Sequence, residues 1–186
     1  MPIPEIQTPR LWLRPFALTD VRRVEELAGH ADVAAGSVLI PHPYPRGLAA
    51  RWIESHEGAW RENRGLILAV CRAEEGVIGS ISLLMEEQRQ HQHLKLTGLL
   101  GYWLGRPYWG QGLMTEAARA LIEFGFCELG LDRIEAQHLP HNLASGRVMR
   151  KSGLCYQDQI IETMPDGRSI PLYRYCLDYP DWLASQ

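Results

Sequence analysis

Nine consecutive residues, Trp109-Gly110-Gln111-Gly112-Leu113-Met114-Thr115-Glu116-Ala117, could hold a phosphate-bearing molecule without using a charged cation. Two glycines let a backbone approach a ligand with no Cβ in the way. A helix starting there adds unpaired N–H groups and the positive end of its dipole. A pyrophosphate-bearing cofactor is what such a loop suits. The run before it, Leu99-Leu100-Gly101-Tyr102-Trp103-Leu104, reads as a strand that stops at Pro107, which has no N–H to continue a ladder. After it, Leu113, Met114, Ala117, Ala118, Leu121, Ile122 and Gly125 recur at helical spacing, ending near Gly130. The loop therefore joins a strand to a helix.

Three cofactor classes use such a turn, with different spacings. A dinucleotide fold needs a third small residue where Thr115 stands, and it opens a domain rather than following several earlier elements; Asp132, at a suitable distance, does not repair this. A nucleoside-triphosphate loop needs Gly-Lys-Ser/Thr, and no lysine is near. The third class is the acyl-CoA loop of the GNAT acetyltransferases, Gln/Arg-x-x-Gly-x-Gly/Ala at the start of the long central helix, which this stretch resembles. Gly112 matches, Gly110 and Gln111 are the free positions, and Trp109 and Met114 stand where Gln/Arg and Gly/Ala are usual.

The resemblance runs from about Thr8 to Leu177. Thr8-Pro9-Arg10-Leu11-Trp12-Leu13-Arg14 is similar to the opening strand of the ribosomal-protein N-terminal acetyltransferase branch. Arg133-Ile134-Glu135-Ala136, Asn142-Leu143-Ala144-Ser145 and Lys151-Ser152-Gly153-Leu154 are similar to its fifth strand, fourth helix and following turn. The resemblance implies an α+β fold with one mixed, mostly antiparallel, seven-stranded sheet, splayed between strands four and five and carrying about four helices. It implies acetyl-CoA as cosubstrate, with pantetheine added to strand four near the backbone of Trp103 and Leu104. The diphosphate would lie on Trp109, Gly110, Gln111, Gly112, Leu113, Met114 and Thr115. The oligomeric state it implies is a monomer or homodimer.

The elements needed around this loop can be read from periodicity and turn residues. A strand at Leu11 to Pro15 precedes a helix capped at Thr19 or Asp20 that carries Val21, Val24, Leu27 and Ala28. A Pro/Gly-punctuated stretch from His30 to Arg46 leads to a second helix marked by Leu48, Ala49, Trp52, Ile53, Ala59 and Trp60. Leu66 to Arg72 and Val77 to Leu84 read as a hairpin, and the polar tract Glu86 to His93 as its solvated exit. Beyond the central helix come a strand at Arg133 to Leu139 and a helix at Asn142 to Ser152. Strands near Cys155 to Thr163 and Ser169 to Leu177 follow, turned by Met164-Pro165-Asp166-Gly167.

The 186 residues, 46% hydrophobic and 22% charged, suit one domain over 1–186. A net charge of -3 without a basic run gives no general attraction to nucleic acid or anionic lipid. Met1-Pro2-Ile3-Pro4-Glu5 has no basic region or apolar core, and no apolar run nears the roughly 20 residues of a span, so a cytoplasmic location and no membrane partner are expected. Cys71, Cys127, Cys155 and Cys176 are scattered through apolar segments and read as reduced core thiols. His91-Gln92-His93 and His138-Leu139-Pro140-His141 have no third ligand nearby, so no metal is expected.

An acetyl-CoA enzyme must hold a thioester against a neutral amine, stabilise the oxyanion and protonate the departing thiolate. Ser145 lies where the resembled branch places the serine that serves as proton donor, with Asn142 beside it; the same pair also fits a plain N-cap and its first-turn partner. Many relatives carry a glutamate at the position of Leu99, so a base must come from Glu135, His138 or water. An α-amine of pKa about 8 is roughly one-tenth neutral at pH 7, against about four parts in ten thousand for lysine. A chain without that glutamate therefore suits a peptide N-terminal α-amine, attacked directly in a ternary complex. A small amine such as a polyamine or antibiotic is the enzymatic alternative, and an acyl-CoA sensor the non-catalytic one. Pro41-His42-Pro43-Tyr44-Pro45 either lines the acceptor pocket or stiffens a crossing.

Overall fold

The computed structural model describes residues 2–90, 93–164 and 166–186. In chain order the elements are β1 (Ile6–Gln7), β2 (Trp12–Arg14), α1 (Val21–Ala28), α2 (Ala31–Ala35), α3 (Leu48–Arg61), β3 (Gly65–Arg72), β4 (Gly76–Gln90), β5 (His93–Leu104), α4 (Leu113–Cys127), β6 (Arg133–His138), α5 (Leu143–Lys151), β7 (Cys155–Thr163), β8 (Ser169–Asp178) and α6 (Tyr179–Ala184). All strands join one sheet of order β1-β2-β3-β4-β5-β6-β8-β7. Every neighbouring pair is antiparallel except β5 and β6.

The described residues form eight strands and six α-helices, against the expected seven and four. The additions are β1, α2 and α6, of two, five and six residues, too short for a periodic signal to register. A larger correction concerns Glu86 to His93. Instead of a solvated exit, β4 runs to Gln90 and pairs with β5 as far as Gln90↔His93. Polar side chains do not oppose a strand whose backbone groups are satisfied by a hairpin partner. The cluster His91-Gln92-His93 lies outside the described residues, apart from the backbone of His93, and so does Pro165 in the last turn.

The strands alternate between two covered faces. Leu66, Leu68 and Val70 of β3, Ile81 and Leu83 of β4, and Leu100 and Leu104 of β5 point to one face, beneath α4. Leu113, Ala117, Ala118, Leu121 and Ile122 on α4 are almost completely buried there, each large side chain contributing about 2 kcal/mol. Gly125 brings the helix close, since a Cβ there would sit 2.9 Å from Leu83 Cδ1. On the opposite face α1 and α3 pack through Val24, Ala28, Ala49 and Ile53, against which Trp103 lies.

The tie between β5 and β6 is short. It covers only Thr97–Leu100 against Arg133–Ala136, while β5 continues to Leu104 and β6 to His138. Past Leu100 the strands share no ladder, which is the splay expected between the fourth and fifth long strands. Cys71 and Cys176 are buried free thiols; Cys127 and Cys155 are exposed, against the expectation of four core thiols. Cys127 ends α4 and Cys155 begins β7, where an apolar neighbourhood in sequence does not enclose the side chain. Among the described residues no helix is long and apolar enough to cross a membrane, and no group of three His, Cys, Asp or Glu residues is placed to hold a metal.

Candidate active site

The glycine loop delivers α4 to the gap with its first turn unsatisfied. Gly110 and Gly112 have φ of 76° and 74°, left-handed conformations that other residues adopt at a cost. Gly112 is the N-cap and offers no capping side chain. Trp109 N–H donates to Arg106 O at 3.4 Å and Glu116 N–H to Gly112 O at 3.1 Å. Among the described residues the N–H groups from Gly110 to Thr115 donate to nothing, so six consecutive amides are free for an anion.

Side chains hold this loop open. Leu113 and Met114 are buried in the core, so Met114 is a packing residue whose backbone alone can face a ligand. Trp109 is 40% exposed, but its indole N–H donates to Leu104 O at 2.6 Å, and the Arg106 guanidinium lies 4.8 Å from its ring centroid. Gln111 is tied by its side-chain amide to Pro107 O and by its carbonyl to Arg10. Arg10 also bonds Glu116, which Thr8 reaches at 2.7 Å. Burial works against the charged Glu116, yet these hydrogen bonds hold its carboxyl below the ordinary range.

Backbone alternation corrects one assignment on β5. Gly105 N–H donates to Ile78 O on β4, so the Leu104 carbonyl, on the other side of that peptide, faces the gap where Trp109 meets it. Two-residue alternation then puts Leu104 N–H and both groups of Tyr102 into the gap. The Trp103 carbonyl faces β4, 2.4 Å from the Cβ that Gly79 lacks. The open strand edge thus belongs to Tyr102 and Leu104 rather than Trp103.

Tyr102 was not anticipated, and it is the group that spans the splay. Its Oη donates to Ser145 O at 3.0 Å and lies 2.9 Å from Ser145 Oγ. Burial pushes the phenol well above its ordinary pKa despite the bond to Ser145, so it stays protonated. Alternation from Leu100 would have put its side chain on the α4 face, but nothing in the sequence pairs residue 102 with residue 145.

Asn142 is the N-cap of α5, accepting from Ser145 N–H at 3.1 Å while its Nδ2 donates to Gly36 O at 2.9 Å. It thereby ties α5 to the end of α2. His138 packs against the same helix, with Nδ1–H donating to Leu139 O at 2.8 Å. Its Nε2 has no partner among the described residues and would lie 2.6 Å from a Cβ on Gly146. Burial lowers its pKa, and a neutral imidazole closed off by a helix is not placed as a base. Tyr44 packs on the α1–α3 cluster and His42 Nδ1 donates to Gly29 O at 3.2 Å, so the proline-rich stretch is fastened to α1.

On the face away from α4, a recess of about 250 Å³ opens beside the tie between β5 and β6, lined by Glu86, Thr97, Leu99, Glu135, Gln137 and Glu162. Leu99 is in register with Glu135. The carboxylate absent from β5 is therefore present one strand over, where Glu135 Oε1 accepts from Arg133 at 2.8 Å. A second recess, about 610 Å³, runs along the outer side of α4 past Arg10, Gly112, Thr115, Arg119 and Lys151.

Such a gap, with free amides at one mouth and a hydroxyl pair across it, can seat an extended anionic thioester and protonate a leaving group. Comparison with known proteins agrees. Residues 10–154 match the model of the acetyltransferase (GNAT) domain. The chain is 40% identical over 81 residues to the probable N-acetyltransferase YjcK of Bacillus subtilis, covering 44% of this chain and 42% of that one. It is 32% identical over 84 residues to the ribosomal protein uS5-alanine N-acetyltransferase of Escherichia coli, covering 45% and 43%. The chain thus spans less than half the length of these two curated relatives. RimJ of Mycobacterium smegmatis, solved in complex with CoA-disulfide, superposes with a TM-score of 0.80 at 17% identity, over 98% of this chain and 95% of that one. The chain belongs to the GNAT acetyltransferase family.

Proposed function

We propose that the protein moves the acetyl group of acetyl-CoA to the α-amine of a peptide or protein N-terminus, by direct attack in a ternary complex. The observation that carries this reading is the unladdered gap between β5 and β6, with free α4 amides and the Tyr102–Ser145 pair at one face and an acceptor recess at the other. The diphosphate would rest on the amides of Gly110 to Thr115, and the recess past Arg10, Arg119 and Lys151 has the charge for the remaining phosphate. The amide arm would take the β5 edge at Tyr102 and Leu104, where an N–H also suits the developing oxyanion.

The amine loses its proton to water and attacks the thioester carbonyl. The tetrahedral intermediate then collapses, and the thiolate takes the Ser145 Oγ proton; the proton that the acylated nitrogen sheds returns to Ser145 through water, while Tyr102 Oη stays protonated and holds the serine in place. Asn142 acts as a positioning residue, fixing the turn that carries Ser145. With Leu99 in place of a carboxylate and Glu135 engaged by Arg133, the acceptor must supply its own neutral amine, which favours an α-amine over lysine. A relative named as a ribosomal protein uS5-alanine N-acetyltransferase supports a protein acceptor. Thiol release on a free-N-terminus peptide should exceed that on a matched internal-lysine peptide with a blocked terminus. Equal or higher kcat/KM on the lysine peptide overturns the assignment.

A further inference from the structure

The recess on the acceptor face holds more negative charge than acetyl transfer needs. Glu135 shares Arg133 with Asp178, whereas Glu86 and Glu162 make no ion pair among the described residues. Thr97, which also lines it, is 5% exposed, and its Oγ1 has no hydrogen-bond partner among the described residues. Thr97 is in register with Glu86 on one side and Arg133 on the other, so its hydroxyl sits in the row that brings Glu86 to the recess. A buried hydroxyl without a partner is costly, and the cost is relieved when a ligand supplies the donor. Two carboxylates without an ion pair among the described residues and an unpartnered hydroxyl form a set that a multi-donor cation can satisfy at once; an ammonium has three N–H donors and a guanidinium five.

We infer that this recess is a subsite for a second positive charge on the acceptor, an alkylammonium or guanidinium carried close to the amine that is acetylated. The inference rests on the acceptor reading above and narrows it to cationic acceptors. Leu99, between this recess and the splay, gives the connecting methylenes an apolar surface. A volume of about 250 Å³ suits a side-chain head group rather than a folded partner.

The test uses pairs of short peptides with the same free N-terminal residue and either lysine or norleucine at the second or third position, assayed with acetyl-CoA. Their binding to the CoA-loaded protein is measured separately by calorimetry. In the wild type the lysine peptide should bind about tenfold more tightly, the difference shrinking with salt. Glu86→Gln combined with Glu162→Gln should abolish the difference, and Thr97→Val should reduce it by several-fold, in proteins whose melting temperatures match the wild type. A short diamine that outperforms the peptides supports the subsite and assigns the charge to a small acceptor; a basic peptide that outperforms the diamine assigns it to a polypeptide. Equal Kd for the lysine and norleucine peptides in the wild type overturns the subsite even if both are acetylated. Discrimination in Kd without turnover keeps the subsite and overturns the enzymatic reading instead.

Discussion

The two sides of the β5–β6 gap are built from different materials. On the α4 side the groups left open to a ligand are backbone amides, aimed by two left-handed glycines and anchored by Leu113 and Met114 in the core. On the opposite side the lining is made of side chains, three of them glutamates. Main-chain recognition depends on conformation and tolerates changes of side chain, so a loop of this kind can accommodate the large side chains of Trp109 and Met114. Side-chain recognition is set residue by residue, which is why the acceptor side can be specific to this chain.

The sharpest way to break this contrast is at Ser145, a side chain on the α4 side of the gap. Ser145→Ala should lower kcat about 100-fold with little change in KM for acetyl-CoA, as expected for loss of a proton donor. Steady-state kinetics with chemistry rate-limiting decides it, and an unchanged kcat removes Ser145 from the mechanism.

A pH scan of stability probes α3, on the face away from α4. His56 of α3 is buried against Phe16 and Trp52, with neither ring nitrogen bonded among the described residues, and burial lowers its pKa to about 4. In the unfolded chain the ring protonates near 6.5, so the unfolded state binds the extra proton between those values. The stability this group contributes is therefore complete above pH 6.5 and declines as pH falls toward 4, by on the order of 2 to 3 kcal/mol. His56→Leu should flatten that part of the denaturation profile; an unchanged acid slope would mean other groups cause it.

On the α4 side, Gly112→Val forces a branched residue into a φ of 74° and should raise KM for acetyl-CoA about tenfold while kcat falls less. Trp109→Phe keeps an aromatic face toward Arg106 but loses the bond to Leu104, so a change of under about threefold is expected. If the order of these two is reversed, recognition runs through side chains after all. The smallest effect belongs to Asn142→Ala, which removes a cap and the link to Gly36. A stability loss of about 1 kcal/mol, seen as a lower melting temperature, should accompany a modest drop in kcat.

Much of the cofactor side was legible in the sequence because its signals are local. Glycines at 110 and 112, a helical apolar pattern from Leu113 and a strand broken before Pro107 sit within thirty or so residues of each other. The hairpin of β3 and β4 and the cap at Asn142 were legible for the same reason. The extension of β4 was not, because the polarity of Glu86 and Glu87 says nothing about whether a partner strand follows them. Nor was the outward position of Cys127 and Cys155, since apolar surroundings in sequence do not report which way a side chain turns.

What the sequence by itself determined is the order of elements, the free-amide turn before α4 and its likeness to GNAT acetyltransferases, all of which follow from periodicities and backbone conformations spanning a few residues. Tertiary structure alone decided that β5 and β6 separate after Leu100, that Tyr102 meets Ser145 across 43 positions, and that Glu86, Glu135 and Glu162 share one recess over Thr97. These are contacts between distant segments. Their geometry is set by how the whole sheet twists and packs, and no local pattern of side chains encodes that.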